Sequence, residues 1–439
     1  MKSSLALLLY IFGILCSSPV TADAPSATKT WRTVPELTPE ERALFDTRTE
    51  TPRDPEQPYM PAERYPFEPP YTAEEMGYRA MEFSHSPRWS CNFVDVSGAL
   101  TAHGYLITNK MHSPIFYVPN AKGGQGFEGE LYATEPGEPT RKITGQNFYP
   151  PEDLGNQMFM TQYRAGGDSA TRWDMFFYSP SLRRVRRMPQ PRRGDKLAQG
   201  AESFDDIFGR DPWEFSWKLI GADTLYQTVR FPNTRPTVTL GKSDGTLHDV
   251  ATDQIKMMGD DYAFYTEEGG VDCWVLETTV KEDWLPNYYA PKIIYWLDKH
   301  HFYPLRIEQY GRDGNLIFVE TRIATHRNPN MGDKGYSILF NHYWDVPLDY
   351  MRYSVHDTHH LKEWSDADQE VFFSPGVLRR VWYFAQRKSQ SEVLKPEQYF
   401  LRPTIDQEKF PAHRKIELSE DIKAKIRTQD EAGHLVFTE

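Results

Sequence analysis

The sequence predicts an α+β protein organised around an antiparallel β meander. Three observations carry this expectation. Residues 271–324 hold four apolar-rich runs, Val271–Val280, Lys292–Asp298, Tyr303–Tyr310 and Asn315–Ile323, with short turns between the last three. In the second run Ile293, Tyr295 and Leu297 fall on one face, and Ile294 and Trp296 on the other. In the fourth, Ile317, Val319, Thr321 and Ile323 alternate with Leu316, Phe318, Glu320 and Arg322. Period-two alternation of β-branched and aromatic residues is a strand signature, and the Asp313-Gly314 step is a strong hairpin signal. From about Gly98 onward, further short alternating runs are separated by Gly, Pro, Asn and Asp, as in a meandering sheet or a barrel. Aromatic residues make up 14% of the chain and are spread along it, which suits an all-β or α+β body better than a helical bundle.

Taken in order, the chain opens with Met1-Lys2, an apolar core from Leu5 to Leu15 and small residues at Val20-Thr21-Ala22. This reads as a secretory signal peptide over residues 1–22. The apolar core is too short to span a bilayer. Cys16 raises lipidation, but Leu15 stands where a lipoprotein carries a small residue, so the reading favours a soluble secreted product. Residues 23–75 form a proline-rich extended arm with ten prolines between Pro25 and Pro70, each removing a backbone donor. Thr38 followed by Pro39-Glu40-Glu41 predicts one short helix there. Helical spacing of Met76, Ala80 and Phe83 predicts another over 71–83.

The main domain is expected over 76–390. Strands are predicted at Ala99–Thr108, Pro114–Val118, Phe127–Ala133, Met158–Tyr163, Trp173–Tyr178, Leu182–Met188 and, around a central Gly221, Trp217–Phe231. The stretch 194–209 breaks the pattern as a loop, with room for a short helix over 202–208. After the meander, Tyr336–Phe340 and Arg379–Phe384 read as strands and His356–His360 as a loop. Residues 391–439 read as an extension packed on the body, with a helix over 418–426.

The chain has 439 residues and a net charge of −12. That charge argues against nucleic acid as a partner, because phosphate binding needs a basic surface. There is no GxSxG elbow, HExxH, P-loop or GxGxxG after a strand, so the sequence predicts neither an enzyme nor a cofactor. His356 and His360 would share a face on a helix, but β-like residues precede them, and a polar surface loop is the better reading. Cys91 and Cys273 remain after cleavage, and an oxidising compartment allows either a bridge or two buried thiols. Arg183, Arg184, Arg186 and Arg187, followed by Arg192-Arg193, form the densest basic cluster. They are candidates for anionic head groups, although pairing with Glu202, Asp205 and Asp206 is favoured.

Two stretches carry a family resemblance. Residues 178–188 (YSPSLRRVRRM), then Arg193-Gly194-Asp195 and Glu202-Ser203-Phe204-Asp205-Asp206, resemble a segment of the outer-membrane lipoprotein-sorting-like proteins. Ile294–Asp298, Pro304–Glu308 and Tyr310–Gly314 resemble their later segment. Trp217–Gly221 and Arg379–Phe384 are similar to the subgroup known as domain of unknown function 1329. The resemblance covers roughly residues 90–390. It implies a strongly curved antiparallel sheet, an incomplete β-barrel like that of the periplasmic lipoprotein carrier, with helices on the concave face. It also implies a Gram-negative periplasmic protein without established catalytic residues.

The expected function is therefore a carrier or chaperone for a lipid, lipoprotein or other hydrophobic molecule, its acyl chain lying between sheet and helices. The candidate lining residues are Trp173, Phe177, Trp274, Tyr295, Leu297, Leu305, Ile307 and Phe318, with strand register deciding which of them point inward. The alternative is a non-enzymatic adaptor or sensor subunit that engages an inner- or outer-membrane transport protein.

Overall fold

A computed structural model describes residues 31–48, 51–53, 55, 67–81, 91–101, 106–117, 137–149, 151–153, 155–164, 172–197, 200–226, 237–241, 247–251, 258, 262–326, 336–360 and 373–379. Its strands are β1 (Arg32–Thr33), β2 (Cys91–Thr101), β3 (Leu106–Tyr117), β4 (Pro139–Tyr149), β5 (Gln157–Tyr163), β6 (Trp173–Ser179), β7 (Arg184–Met188), β8 (Phe215–Leu225), β9 (Thr237–Gly241), β10 (Leu247–Ala251), β11 (Val271–Val280), β12 (Lys292–Asp298), β13 (Pro304–Tyr310), β14 (Leu316–His326), β15 (Tyr336–Asp345) and β16 (Tyr350–His360). Three α-helices, α1 (Pro39–Ala43), α2 (Ala73–Arg79) and α3 (Phe204–Phe208), are all short.

Fourteen strands form one curved, unclosed antiparallel sheet in the order β1-β8-β11-β12-β13-β14-β15-β16-β2-β3-β4-β5-β6-β7, and β9 and β10 pair separately. The architecture is that of an incomplete barrel, with β1 and β7 as its edges. It consists of two meanders in sequence. Strands β2 to β7 form one; β8 and β11 to β16 form the other. They join along a seam that runs from Cys91 opposite His360 to Thr101 opposite Tyr350.

The 271–324 stretch is β11 to β14, close to the expected limits. Its two faces are both occupied. Trp274, Leu276, Ile293, Tyr295, Leu297 and Ile307 pack with Trp217 and Leu219 of β8 beneath Met76, Ala80 and Met81. This is the concave face. On the other face Cys273, Val275, Ile294, Trp296 and Leu305 pack with Met258 and Tyr262. Leu305 leaves the face of Ile307 because the β12–β13 register shifts between Trp296 and Leu297, and a bulge inverts the alternation beyond it.

Helix α2 owes its start to Thr72, which accepts from the Glu75 backbone N–H at 3.1 Å, while the Glu75 carboxylate accepts from the Thr72 N–H at 2.8 Å. This reciprocal cap satisfies two otherwise orphaned donors. Every residue of the helix is buried. The preceding segment is fastened to it. Thr51 donates to Glu74 and Glu75, and Arg53 pairs with Glu74. Further upstream, Glu41 of α1 accepts from Arg32 and from Lys299 at 2.5 Å. Burial raises the Glu41 pKa, but those two cations outweigh it and bring it to about 2. β1 adds to the outer edge of β8, where a Cβ on Gly221 would sit 1.9 Å from the Arg32 carbonyl oxygen.

Three expectations are corrected. The predicted strand Ala99–Thr108 is the end of β2 and the start of β3. His356–His360 is not a loop but the last turn-free part of β16, paired with β2. Cys91 and Cys273 are not bridged. Cys273 is a free, buried thiol, and its strand stands six places from β2 in the sheet, far beyond the reach of a disulfide. Desolvation pushes the Cys273 thiol well above its ordinary pKa, so it is unreactive there. The expected elements at 127–133, 380–384 and 418–426, the signal peptide and Cys16 lie outside the described residues. No helix among the described residues is long and apolar enough to cross a membrane.

Helix α2 approaches β8 closely because residue 77 lacks a side chain. A Cβ at Gly77 would lie 2.3 Å from Trp217 Cδ2, and the Trp217 ring is fixed by its Nε1 donation to the Pro212 carbonyl at 2.8 Å. Gly77→Ala is therefore expected to destabilise the protein by about 1–3 kcal/mol, even after the helix-propensity gain of about 1 kcal/mol. A lowered urea midpoint with an unchanged slope is the readout.

Candidate functional site

The link between β7 and β8 crosses the concave face and joins strands that lie toward opposite edges of the sheet. It carries α3. Ser203 caps α3 by accepting from the Asp206 N–H at 3.3 Å, and donates its own N–H to Asp206 Oδ2 at 2.7 Å. Gly209 ends the helix at φ +82, a backbone region that glycine enters without Cβ strain.

On one side, the crossover lays apolar groups on the β4–β6 floor. Trp173 meets the Phe208 ring at 4.8 Å and the Phe204 ring at 6.2 Å, with Ile143 and Met160 in the same cluster. On the other side it is fastened by buried charges. Asp206 Oδ1 accepts from Arg210 at 2.6 Å and from Gln309 of β13 at 2.5 Å. Arg210 also donates to the Tyr288 and Tyr289 hydroxyls, at 2.8 Å and 2.9 Å, and Tyr288 donates to Asp205 at 2.7 Å. Arg193 grips Asp205 through Nε and Glu214 through both terminal nitrogens. Arg172 pairs with Asp211, and Arg352 of β16 pairs with Glu202. Asp205, Asp206 and Glu202 are fully buried.

The electrostatics follow from this pairing. Burial raises the Asp206 pKa, but Arg210, Lys196 and the Ser203 N–H overcome it and keep it low. Desolvation lifts the Tyr295 hydroxyl to about 12. Glu320 of β14 behaves differently. Burial pushes its carboxyl up to about 7, although Arg322 donates to Oε1 at 2.6 Å. Its Oε2 has no hydrogen-bond partner among the described residues. Here desolvation exceeds what one cation returns.

The sequence-predicted lining residues separate into five surroundings. Trp274, Tyr295, Leu297 and Ile307 lie together on the concave face under the α2 segment. Leu305 packs on the opposite face. Trp173 meets the crossover helix. Phe318 stacks beside Tyr343, with Lys196 Nζ 4.8 Å above its ring. Phe177, half-buried on β6, stands opposite Met158 and Arg186.

Within the basic cluster Arg193 pairs with an acid that the sequence offered, Asp205, while the other arginines make no such pair among the described residues. Glu202, Asp205 and Asp206 are taken by Arg352, by Arg193 and by Arg210. Arg187 instead donates to Asp174 at 2.7 Å, across the β6–β7 pair. Arg183, in the turn at φ +48, and Arg184 and Arg186 are exposed and make no ion pair among the described residues. The buried partners Arg172, Arg210, Gln309, Tyr288 and Tyr289 were missed. The Arg193-Gly194-Asp195 and Asp205-Asp206 stretches were the available signal. No cluster of metal-ligating residues occurs among the described residues.

Residues 106–379 match the model of a protein family of unknown function, DUF1329. The chain belongs to this family. Among solved structures, it is similar to a DUF1329 family protein from Desulfovibrio piger, at 14% identity and a TM-score of 0.45, covering 70% of this chain and 97% of that one. It is also similar to a domain assigned to an outer membrane lipoprotein-sorting protein from Vibrio parahaemolyticus, at 15% identity, a TM-score of 0.42 and the same coverages, 70% and 97%. A LolA superfamily protein from Nitrosomonas europaea matches at 13% identity and a TM-score of 0.35, covering 69% and 98%. No curated protein matches the chain.

Two outcomes follow from the buried charges of this DUF1329 protein. Arg210→Met strands Asp206 as a buried charge and is expected to cost about 3–5 kcal/mol, with part of the loss recovered in Asp206→Asn/Arg210→Met. Chemical denaturation of the three variants reads this. For Glu320, the folded value of about 7 lies above the ordinary 4.5, so the unfolded chain loses that proton first. Its contribution is complete below about pH 4.5 and is lost as pH rises through 7. Glu320→Gln should therefore show a flatter stability profile between about pH 5 and 8; an unchanged slope would contradict a protonated Glu320.

Proposed function

We propose that the chain is a periplasmic carrier or chaperone that holds a lipid, lipoprotein acyl chain or other hydrophobic ligand between the curved sheet and the crossover segment. The observation that carries this reading is the two-sided attachment of the crossover. Toward β13–β16 it is fastened by ion pairs and hydrogen bonds of fixed geometry. Toward β4–β6 it adds apolar packing, with Phe204, Ile207 and Phe208 of a five-residue helix laid on Trp173, Ile143 and Met160, beside ties from Arg141 to the Phe208 carbonyl and from Arg172 to the Gly209 carbonyl and Asp211. Apolar packing is non-directional, so an acyl chain can replace those phenyl rings, with each buried methylene contributing about 0.8 kcal/mol. Trp173 and Phe177 are then the lining residues nearest the exchange. Trp274, Tyr295, Leu297 and Ile307 become accessible only if the α2 segment also lifts.

A second reading, the non-enzymatic adaptor of an envelope transport complex, is favoured by the filled floor beneath α2. Periplasmic crosslinking distinguishes the two, since an adaptor gives a stable protein partner and no ligand.

The carrier reading is tested by organic extraction and mass spectrometry of protein purified from the periplasm, alongside uptake of a fluorescent fatty acid. Bound lipid is expected. Trp173→Ala, checked for retained fold by circular dichroism, should weaken uptake by about tenfold, as expected for loss of a large apolar contact surface. Repeated absence of lipid together with no uptake ends the reading.

A further inference from the structure

The β6–β7 hairpin is the most basic part of an acidic molecule. Between Ser179 and Arg192 the chain has five arginines and no acidic residue, while its net charge is −12. Only Arg187 is neutralised among them by an ion pair among the described residues, through Asp174. Arg183, Arg184, Arg186 and Arg192 are exposed. The same hairpin presents two large apolar side chains to solvent, Leu182 at 50% and Met188 at 43% exposure. Among the described residues β7 is the terminal strand of the sheet, paired with β6 alone, with the Pro375–Arg379 turn also close to it.

From this juxtaposition we infer that the β6–β7 hairpin docks the protein onto an anionic membrane surface, with Arg183, Arg184, Arg186 and Arg192 against lipid phosphates and Leu182 and Met188 inserted among the head groups. The chemistry supports one occupant. Guanidinium groups bind phosphate oxygens in pairs and are weakly hydrated, so they leave water readily. A leaflet rich in anionic lipid concentrates cations within a Debye length of its surface. Two separate apolar side chains anchor at an interface without enough area to form a protein–protein core. The opposite edge of the sheet supplies the contrast. There β1 of the protein's own chain covers β8, and Arg32 is neutralised by Glu41. A charged edge also deters strand-to-strand aggregation, but that role requires neither Arg183 and Leu182, which lie in the turn, nor Arg192, which lies beyond the strand.

The inference is independent of the carrier reading and adds a delivery surface to it. The test is co-sedimentation of the full protein with vesicles of phosphatidylcholine containing about a third phosphatidylglycerol, and with phosphatidylcholine alone, at low salt and at about 0.5 M NaCl, where screening is nearly complete. Binding is expected for the anionic vesicles at low salt only. Replacing Arg183, Arg184, Arg186 and Arg192 by Gln should lower it at least about tenfold, since each basic residue near such a surface contributes several-fold. The four-Lys variant should retain most of it, and Leu182→Ser with Met188→Ser should weaken it a few-fold. These side chains are exposed, so a thermal melt confirms that the variants fold. Equal binding to neutral vesicles, an undiminished Gln variant, or no binding in any condition overturns the inference. So does retention on an acidic polypeptide without retention on vesicles, which would make the surface a protein contact. A protein that extracts with lipid yet ignores vesicles would leave the carrier reading standing and remove only this one.

Discussion

The structure depends on one topological constraint: β7 ends toward one edge of the open sheet, and β8 begins toward the other. The chain between them packs over the sheet, against Ile143, Met160 and Trp173 on one side and Gln309 on the other. A segment packed there must satisfy its polar groups out of contact with water, and an unpaired buried charge is severely destabilising. The buried side chains answer that demand. Arg193 serves Asp205 and Glu214 together, Asp206 collects Arg210 and Gln309, and Glu202 finds Arg352 on the seam side. These contacts fix where the crossover lies more than how stable the protein is, because a buried ion pair gains little net energy over apolar packing of the same volume.

Much of the fold was legible because β structure writes its period into the sequence. The 271–324 meander shows this best, since its runs are flanked by unambiguous turns and its register is set by large side chains on both faces. The cap of α1 was readable at Thr38, whereas the same signals at Thr72 and Ser203, each followed by an acid at the third helical position, went unused, and the helices there were expected to begin at 71 and 202. Other features were not legible. The hairpin between β2 and β3 was read as one strand, because Ala99 to Thr108 contains no residue that demands a turn more strongly than Gly104. His356–His360 looked like a loop because its polar residues sit on a strand whose pairing partner lies far away in sequence. Simple alternation would put Leu305 on the face of Ile307, and the bulge opposite Leu297 moves it to the other face.

The charged residues show a different limit. Arg183 to Arg187 and Asp205-Asp206 stand out together in the sequence, and proximity suggested pairing. The fold assigns them to separate tasks. The acids turn inward because α3 is pinned to β13, whereas the arginines ride on a hairpin whose outer strand pairs with β6 alone among the described residues. Which cation meets which anion is decided by tertiary distance, and composition does not carry that information. The same applies to Glu320, whose alternation with apolar residues on β14 gave no sign that its carboxyl would sit dry beside Arg322.

The seam between β16 and β2 has a further consequence for how the molecule is made. Each meander consists of neighbours in sequence and can assemble as its strands emerge. The seam joins partners such as Arg352 and Ser97, 255 residues apart, and β7 must wait for the crossover before the concave face is covered. Loop-closure entropy opposes such distant pairing and slows it. The first meander therefore keeps a bare edge at β2 until β16 docks, and an unpaired strand edge invites pairing with other chains.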